Sequence, residues 1–202
     1  MERGKFIVFE GMDGGGKGTQ VDLLRQRIGS KSNVVFTKEH NRQGVAGELV
    51  ERVVTRQETR DFSPRALQQL FIADRVDHWD RVIRPALEAG KLVVSDRYWP
   101  STVAYGPIDQ REVLVGINRQ LVGDPDLAIL VDVPVEVAMA RMNLRGEPQT
   151  IFEKREKLKV VRQGYLWQVE KMPDMWLVVN GDRDPEVIAV EIWGEIKRRE
   201  MV

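Results

Sequence analysis

The segment "FEGMDGGGKGTQ", Phe9 to Gln20, brings together the residue types that can hold a chain of phosphates. Gly11, four residues, Gly16 and Lys17 fill the first seven positions of the pattern G-x-x-x-x-G-K-[ST], with Asp13, Gly14 and Gly15 inside it. Glycines let the backbone turn its N–H groups inward around phosphate oxygens. A helix starting at Lys17 presents its positive end to the same anion, and the lysine ammonium can reach the outer phosphates. The eighth position is Gly18, where a hydroxyl usually ligates magnesium. Mg2+ must then depend on Thr19, on water and on a carboxylate from elsewhere. The segment reads as a site for a nucleoside triphosphate with a looser metal site than usual. The bland alternative, an ordinary Gly-rich turn, does not account for Lys17 in a strand–loop–helix setting.

Such a loop works only if a strand delivers it and a helix leaves it. Short β-branched runs at 5–10, 33–39, 91–96, 127–133 and 175–180 read as strands, most of them apolar on both faces, as in a parallel sheet covered on each side. Helices are predicted over 17–29, 45–56, 63–88, 111–121, 135–145, 152–170 and 185–199. Ser63-Pro64 is a start signal and Gly90 a stop. Strands alternating with helices imply an α/β three-layer sandwich around a mainly parallel five-stranded sheet. No internal repeat or low-complexity linker divides the chain, so residues 1–202 are expected to form one domain. The segment 141–157, dense in charge and broken by Gly146 and Pro148, has the position of a mobile lid between two helices, although a charge run is more often a solvated loop.

Composition removes several function classes. Lys plus Arg and Asp plus Glu both count 31, a formal net charge of zero, which argues against a protein that coats nucleic acid. There is no Cys and there are two His, so disulfides, Cys-based zinc and a His-rich metal site are not expected. No apolar run approaches the roughly 20 residues of a membrane span, and the charged opening "MERGKFIVFEG" is unlike a secretory signal. A cytoplasmic location is expected.

A phosphate loop alone does not separate a kinase from a switch GTPase or a motor ATPase. A GTPase needs D-x-x-G and a guanine-reading N-K-x-D; neither occurs, and "NGDRD" at 180–184 is not the latter. "GKGTQ" resembles the loop variant of adenylate kinases. Two further segments carry arginine, "FIADRVDHW" from Phe71 and "DRYWPSTVAYG" from Asp96. With the loop containing Asp13, "TKEHNRQG", "LFIADR", "DRY--S--AY" and "GYL" in this order, the sequence resembles the thymidylate kinase family of P-loop nucleoside monophosphate kinases along nearly its whole length.

The resemblance implies ATP with Mg2+ as donor, dTMP as acceptor and a role for each matching residue. Lys17 binds the transferring phosphate; Asp96 lies in the magnesium shell, with Arg97 beside it on the acceptor phosphate. Phe71 stacks on thymine, Arg75 one turn on donates to its carbonyl, and Ser101 and Thr102 complete the base edge. Asp13 takes the deoxyribose 3′-hydroxyl, and Tyr105 fills the space of a ribose 2′-hydroxyl. Arg141 lies against adenine, with 180–184 closing the other side. Because the loop holds no arginine, the resemblance places the catalytic cation in the lid, as Arg145 or Arg155. It also implies a homodimer, with the helix over 63–88 a candidate interface. Read without it, Phe71 is equally a core aromatic on an amphipathic helix, Arg141 an exposed helix residue and Asp96–Arg97 a structural ion pair. Three departures from the family pattern stand out. Lys38 replaces a forked arginine grip with a point charge, His40 and Asn41 replace Pro-Gly, and Gly106 removes a polar side chain near the base. Two rivals stand beside dTMP kinase: a kinase for another monophosphate such as dUMP, and a slow regulatory ATPase, which has no use for the Phe71, Arg75, Arg97 and Tyr105 set.

Overall fold

The structure, a computed structural model, describes residues 2–29, 33–58, 61–145 and 154–202. Within them β1 (Phe6–Glu10), β2 (Val34–Lys38), β3 (Leu92–Asp96), β4 (Leu127–Asp132) and β5 (Trp176–Asn180) pair in parallel, in the order β2-β3-β1-β4-β5. All five lie inside the predicted runs. Successive strand residues point to opposite faces, and both faces are covered. Phe6, Val8, Val93, Ala128 and Leu130 join one core, while Ile7, Phe9, Val94, Leu127, Ile129 and Val131 join the other. That double burial is why the strands read as continuous apolar runs rather than alternating ones.

The second core is closed by α1 (Lys17–Ile28) and α9 (Pro185–Arg198), through Val21, Leu24, Ile188, Ile192 and Ile196. The first is closed by α3 (Pro64–His78), α4 (Arg84–Glu88), α5 (Trp99–Tyr105), α6 (Arg111–Leu121), α7 (Val135–Arg145) and α8 (Arg155–Lys171). A further helix, α2 (Val45–Val54), packs against α3.

Two elements differ from the sequence-based expectation. The helix expected over 63–88 is α3 and α4 joined by a π-helical turn at Trp79–Ile83. Pro85 has no N–H to give and its ring excludes the carbonyl four residues back, and the Arg84 N–H bonds the Trp79 carbonyl, five residues back. The second, α5, was read only as motif; seven residues are too few to show a helical period. The predicted start of α8 at Phe152 and most of the predicted lid lie outside the described residues. Among the described residues no helix is long and apolar enough to cross a membrane.

Gly164 lets α8 approach α5. A Cβ there would come 2.8 Å from the Ala104 Cα and 2.9 Å from its carbonyl oxygen. A methyl at this position favours the helix by ~1 kcal/mol, but it collides with backbone, and overpacking costs about 1–3 kcal/mol. Gly164→Ala is therefore expected to lower the unfolding free energy in urea by about 1 kcal/mol, the collision outweighing the propensity gain. A variant as stable as the parent would show that the two helices separate freely.

Candidate active site

The phosphate loop leaves β1 through Gly11, Gly14 and Gly16, whose φ values are 140°, 78° and 94°. These angles favour glycine, and space demands it as well. A Cβ on Gly14 would lie 2.3 Å from the Ala138 carbonyl oxygen, and one on Gly11 2.6 Å from that of Val131. Among the described residues, nothing beyond its own helix lies within 4 Å of a Cβ on Gly18, so the missing hydroxyl is not a steric requirement. Lys17 is buried at the head of α1 and its Nζ donates to the Met12 carbonyl at 2.9 Å. Burial, together with the charge of Arg97, lowers its pKa to about 8 against the pull of Asp13, Asp96 and Glu10. Thr19 is exposed on the first turn of α1.

Asp96 ends β3 in register with Phe9 of β1, so its carboxylate stands at the carboxyl edge of the sheet beside the phosphate loop. One of its oxygens lies 3.3 Å from Lys38 Nζ, and the other is buried with no hydrogen-bond partner among the described residues. Arg97 does not pair with Asp96. Its φ is 72°, a conformation uncommon for a side-chain-bearing residue, and its guanidinium turns onto the loop. Nη1 donates to the Gly11 carbonyl at 3.3 Å, to Ser101 Oγ at 3.0 Å and to Tyr165 Oη at 3.2 Å. Nη2 donates to Asp13 at 2.5 Å and to Tyr105 Oη at 3.3 Å. Burial acts to raise the Asp13 carboxyl, but Arg97 and Lys17 overcome it and bring it to about 2.

Beside this cluster a cavity of about 410 Å³ is lined by Asp13, Lys38, Phe71, Arg75, Arg97, Ser101, Thr102 and Tyr105. These are the eight residues expected on the acceptor side, and the volume is that of a small-molecule site. Phe71 belongs to neither core; it is half-buried, its ring edge-on to His40 at 6.1 Å, and it faces the cavity. Arg75 is held before any ligand arrives. Nε donates to Glu39 at 2.8 Å, and Nη1 to Thr102 Oγ1 at 2.9 Å and Asn118 Oδ1 at 2.8 Å. Ser101 donates to Glu10 at 2.6 Å as well as accepting from Arg97.

On the other side of the loop, Arg141 Nη1 donates to the Gly181 carbonyl at 3.0 Å and sits 3.8 Å from where a Cβ on Gly16 would be. Arg141 and the 180–184 segment are thus adjacent, next to the phosphate loop. Arg155 is exposed and pairs with Glu136 at 2.7 Å. Arg145 ends α7, with its side chain outside the described residues, as are Gly146 and Pro148.

Sequence reasoning missed four supporting residues. Glu10 is fully buried and accepts from the Tyr98 N–H, Ser101 and Tyr165. Burial raises its carboxyl, opposed by Arg97 and these three bonds. Glu39 accepts from Arg75 and His78. Glu10 and Glu39 carried a signal, a carboxylate at the end of an apolar parallel strand. Tyr165 lay in the quoted "GYL", and Asn118 carried no signal.

A parallel sheet in this order, a phosphate loop after β1 and an acceptor cavity opening beside it define a P-loop nucleoside monophosphate kinase. The chain belongs to the thymidylate kinase family, whose model, "Thymidylate kinase", matches residues 9–192. It is 38% identical over 197 residues to a probable thymidylate kinase of Methanococcoides burtonii, covering 94% of each chain. It is 41% identical over 184 residues to one of Thermococcus onnurineus, covering 86% of this chain and 88% of the relative. The solved thymidylate kinase of Candida albicans shares the fold, with a TM-score of 0.83 and 21% identity over 98% of this chain and 93% of that one.

The rim of the cavity is pinned by Asp74, buried on α3, which accepts from the Asn41 N–H at 2.9 Å. Burial pushes its carboxyl up to about 6, the Glu39 charge adding to it against the Asn41 bond. The folded protein therefore holds this proton more tightly than the unfolded chain. Between 3.8 and about 6 the group makes stability fall as pH rises. Asp74→Asn keeps an acceptor for Asn41 and removes the titration. Its stability, followed by urea unfolding from pH 4 to pH 6.5, is expected to rise more with pH than the parent's, about the window that Asp74 sets. Parallel curves would mean that Asp74 ionises as it does in water.

Proposed function

We propose that the residues of this site transfer the γ-phosphoryl of ATP directly to the 5′-phosphate of dTMP, giving ADP and dTDP. The observation that carries the reading is the cavity in which all eight expected acceptor residues meet at the edge of the phosphate loop. In it Phe71 stacks on the base, Arg75 donates to its carbonyl and Thr102 and Ser101 line its edge. Asp13 takes the 3′-hydroxyl, and Tyr105 occupies the space a 2′-hydroxyl would need. Arg97 and Lys38 hold the acceptor phosphate.

The transition state spreads negative charge over the phosphoryl oxygens with little covalent chemistry for the protein to do. The chain's part is to position and to neutralise. The loop N–H groups and Lys17 hold the donor phosphates, and Arg141 with the 180–184 segment flanks the adenine. Among the described residues no group of three or more His, Cys, Asp or Glu could hold a metal alone. That donor set fits Mg2+ held chiefly by phosphate oxygens and water, with the unpartnered oxygen of Asp96 as its one carboxylate and Thr19 close to its water shell. When bound, the ion supplies charge to the donor phosphates. The same proposal includes one domain with a lid over 141–157, a cytoplasmic site of action and a homodimer joined through α3.

The test is a panel of nucleoside monophosphates assayed with Mg-ATP. The expected result is that dTMP has the highest kcat/KM, above dUMP, dCMP, dAMP and dGMP. Lys17→Ala and Asp96→Ala should each lose about 10²–10³ in turnover, the usual effect of one preorganised electrostatic contact. Another monophosphate ranking first would sink the substrate assignment and leave phosphoryl transfer standing. Near-full turnover in both variants, with unchanged circular dichroism, would place the chemistry elsewhere.

The lid makes a separate prediction. Among the described residues Arg155 is held by an exposed pair with Glu136, an interaction typically worth ~0–1 kcal/mol. Closure over the phosphates therefore releases it readily, and expulsion of water strengthens its charge. Replacing Arg145 and Arg155 together by Gln should lower kcat by about tenfold or more, about 1.4 kcal/mol of barrier, with the Kd for dTMP little changed. Normal turnover in the double variant would mean that the segment is a solvated loop.

A further inference from the structure

Among the described residues, Gln68 is the only residue lining the acceptor cavity that has a buried side-chain polar atom without a hydrogen-bond partner, its Oε1. Gln68 is 2% exposed on α3. It lies three residues before Phe71 and seven before Arg75, so the three side chains share one helical face. Native proteins rarely leave a buried acceptor unpaired. This oxygen is enclosed, and a half-turn of the carboxamide, which exchanges Oε1 with Nε2, would bring it to what enters the cavity.

The facing wall explains why this group comes from α3. A Cβ on Gly106 would come 2.5 Å from Leu114 Cδ1 and 2.7 Å from the Thr102 carbonyl oxygen, so no side chain fits there unless these groups move. The carboxamide carbon of Gln68 lies 3.7 Å from that same point. The polar contact that Gly106 cannot make is therefore available from the opposite helix.

The chemistry selects a base edge. Thymine and uracil present an N3–H donor between two carbonyl acceptors. Arg75 offers only donors, and the Thr102 oxygen already accepts from it. A carboxamide supplies the missing acceptor through Oε1 and a second donor through Nε2. Cytosine puts a lone pair at N3, which repels Oε1, and an amino donor at position 4, where Arg75 also donates.

From this we infer that Gln68 determines base specificity, its Oε1 accepting the N3–H of the acceptor base and setting the preference for thymine and uracil over cytosine. The inference rests on the dTMP reading, so the intact protein is first ranked on dTMP and dCMP. If dTMP is not preferred there, both readings fall. If it is, the probe is N3-methyl-dTMP, which keeps both carbonyl acceptors and removes the N3–H donor. The intact protein should bind this analogue at least about tenfold more weakly than dTMP, within the range of one base-edge contact. Gln68→Met, of similar size with no such acceptor, should bind the two alike, raise the KM for dTMP with kcat nearly unchanged, and narrow the dTMP-to-dCMP ratio of kcat/KM by about tenfold. The KM for ATP should not move. An intact protein that binds dTMP and its N3-methyl analogue equally overturns the inference, whether or not the variant folds. So does a variant that weakens dTMP and dCMP by the same factor, because that is the signature of packing alone.

Discussion

The site is organised around one buried cation. Arg97 leaves the end of β3 in a left-handed conformation and bonds the phosphate loop, α5 and α8 at once, through Gly11 and Asp13, Ser101 and Tyr105, and Tyr165. A non-glycine residue persists at such a φ only where its surroundings over-determine it. Here five hydrogen bonds do so, and two more fix its backbone, from the Arg97 N–H to Phe9 and from Ser95 Oγ to the Arg97 carbonyl. Because burying a charge without partners is strongly unfavourable, the loop, α5 and α8 cannot separate without exposing Arg97 or leaving it unpaired. Gly164 is what allows α8 close enough for Tyr165 to take part.

The same principle recurs at the far end of the cavity. Arg75, 2% exposed, is bound to Glu39, Thr102 and Asn118, and Glu39 is shared with His78, whose Nε2 meets Thr37 at 2.6 Å. Removing one member of a buried ion pair typically costs about 3–5 kcal/mol, because the other charge is left uncompensated. The network therefore fixes the wall of the cavity as firmly as it holds Arg75. A donor that is already oriented needs no reorganisation when a ligand arrives. Asp13 and Arg97 belong both to the loop cluster and to the cavity lining, so the two halves of the site share atoms rather than merely face each other.

Much of this was legible in one dimension. Glycines, Lys17 and the strand before them specify the phosphate loop because backbone curvature and charge are local properties. Five apolar runs specify a parallel sheet because burial on both faces leaves no alternation. Asp96 at the end of its run could be placed at the carboxyl edge from sequence position alone, and Phe71 with Arg75 on one helical face from their spacing. Pro85 sat in plain view inside 63–88, yet the turn it forces needed hydrogen-bond geometry to be recognised.

Tertiary structure decided who pairs with whom. Asp96 and Arg97 are neighbours in sequence, but Arg97 turns left-handed beyond the end of β3, and its guanidinium finds Asp13, 84 residues away. Glu10, Glu39, Asn118 and Tyr165 matter because folding leaves a buried cation or carboxylate needing partners, and no spacing rule anticipates contacts across 155 residues, as between Glu10 and Tyr165. Gln68 is the same lesson in reverse. Its place on α3 follows from the sequence, while the empty hydrogen-bonding position at Oε1 exists only because the surrounding walls close around the side chain without supplying a donor.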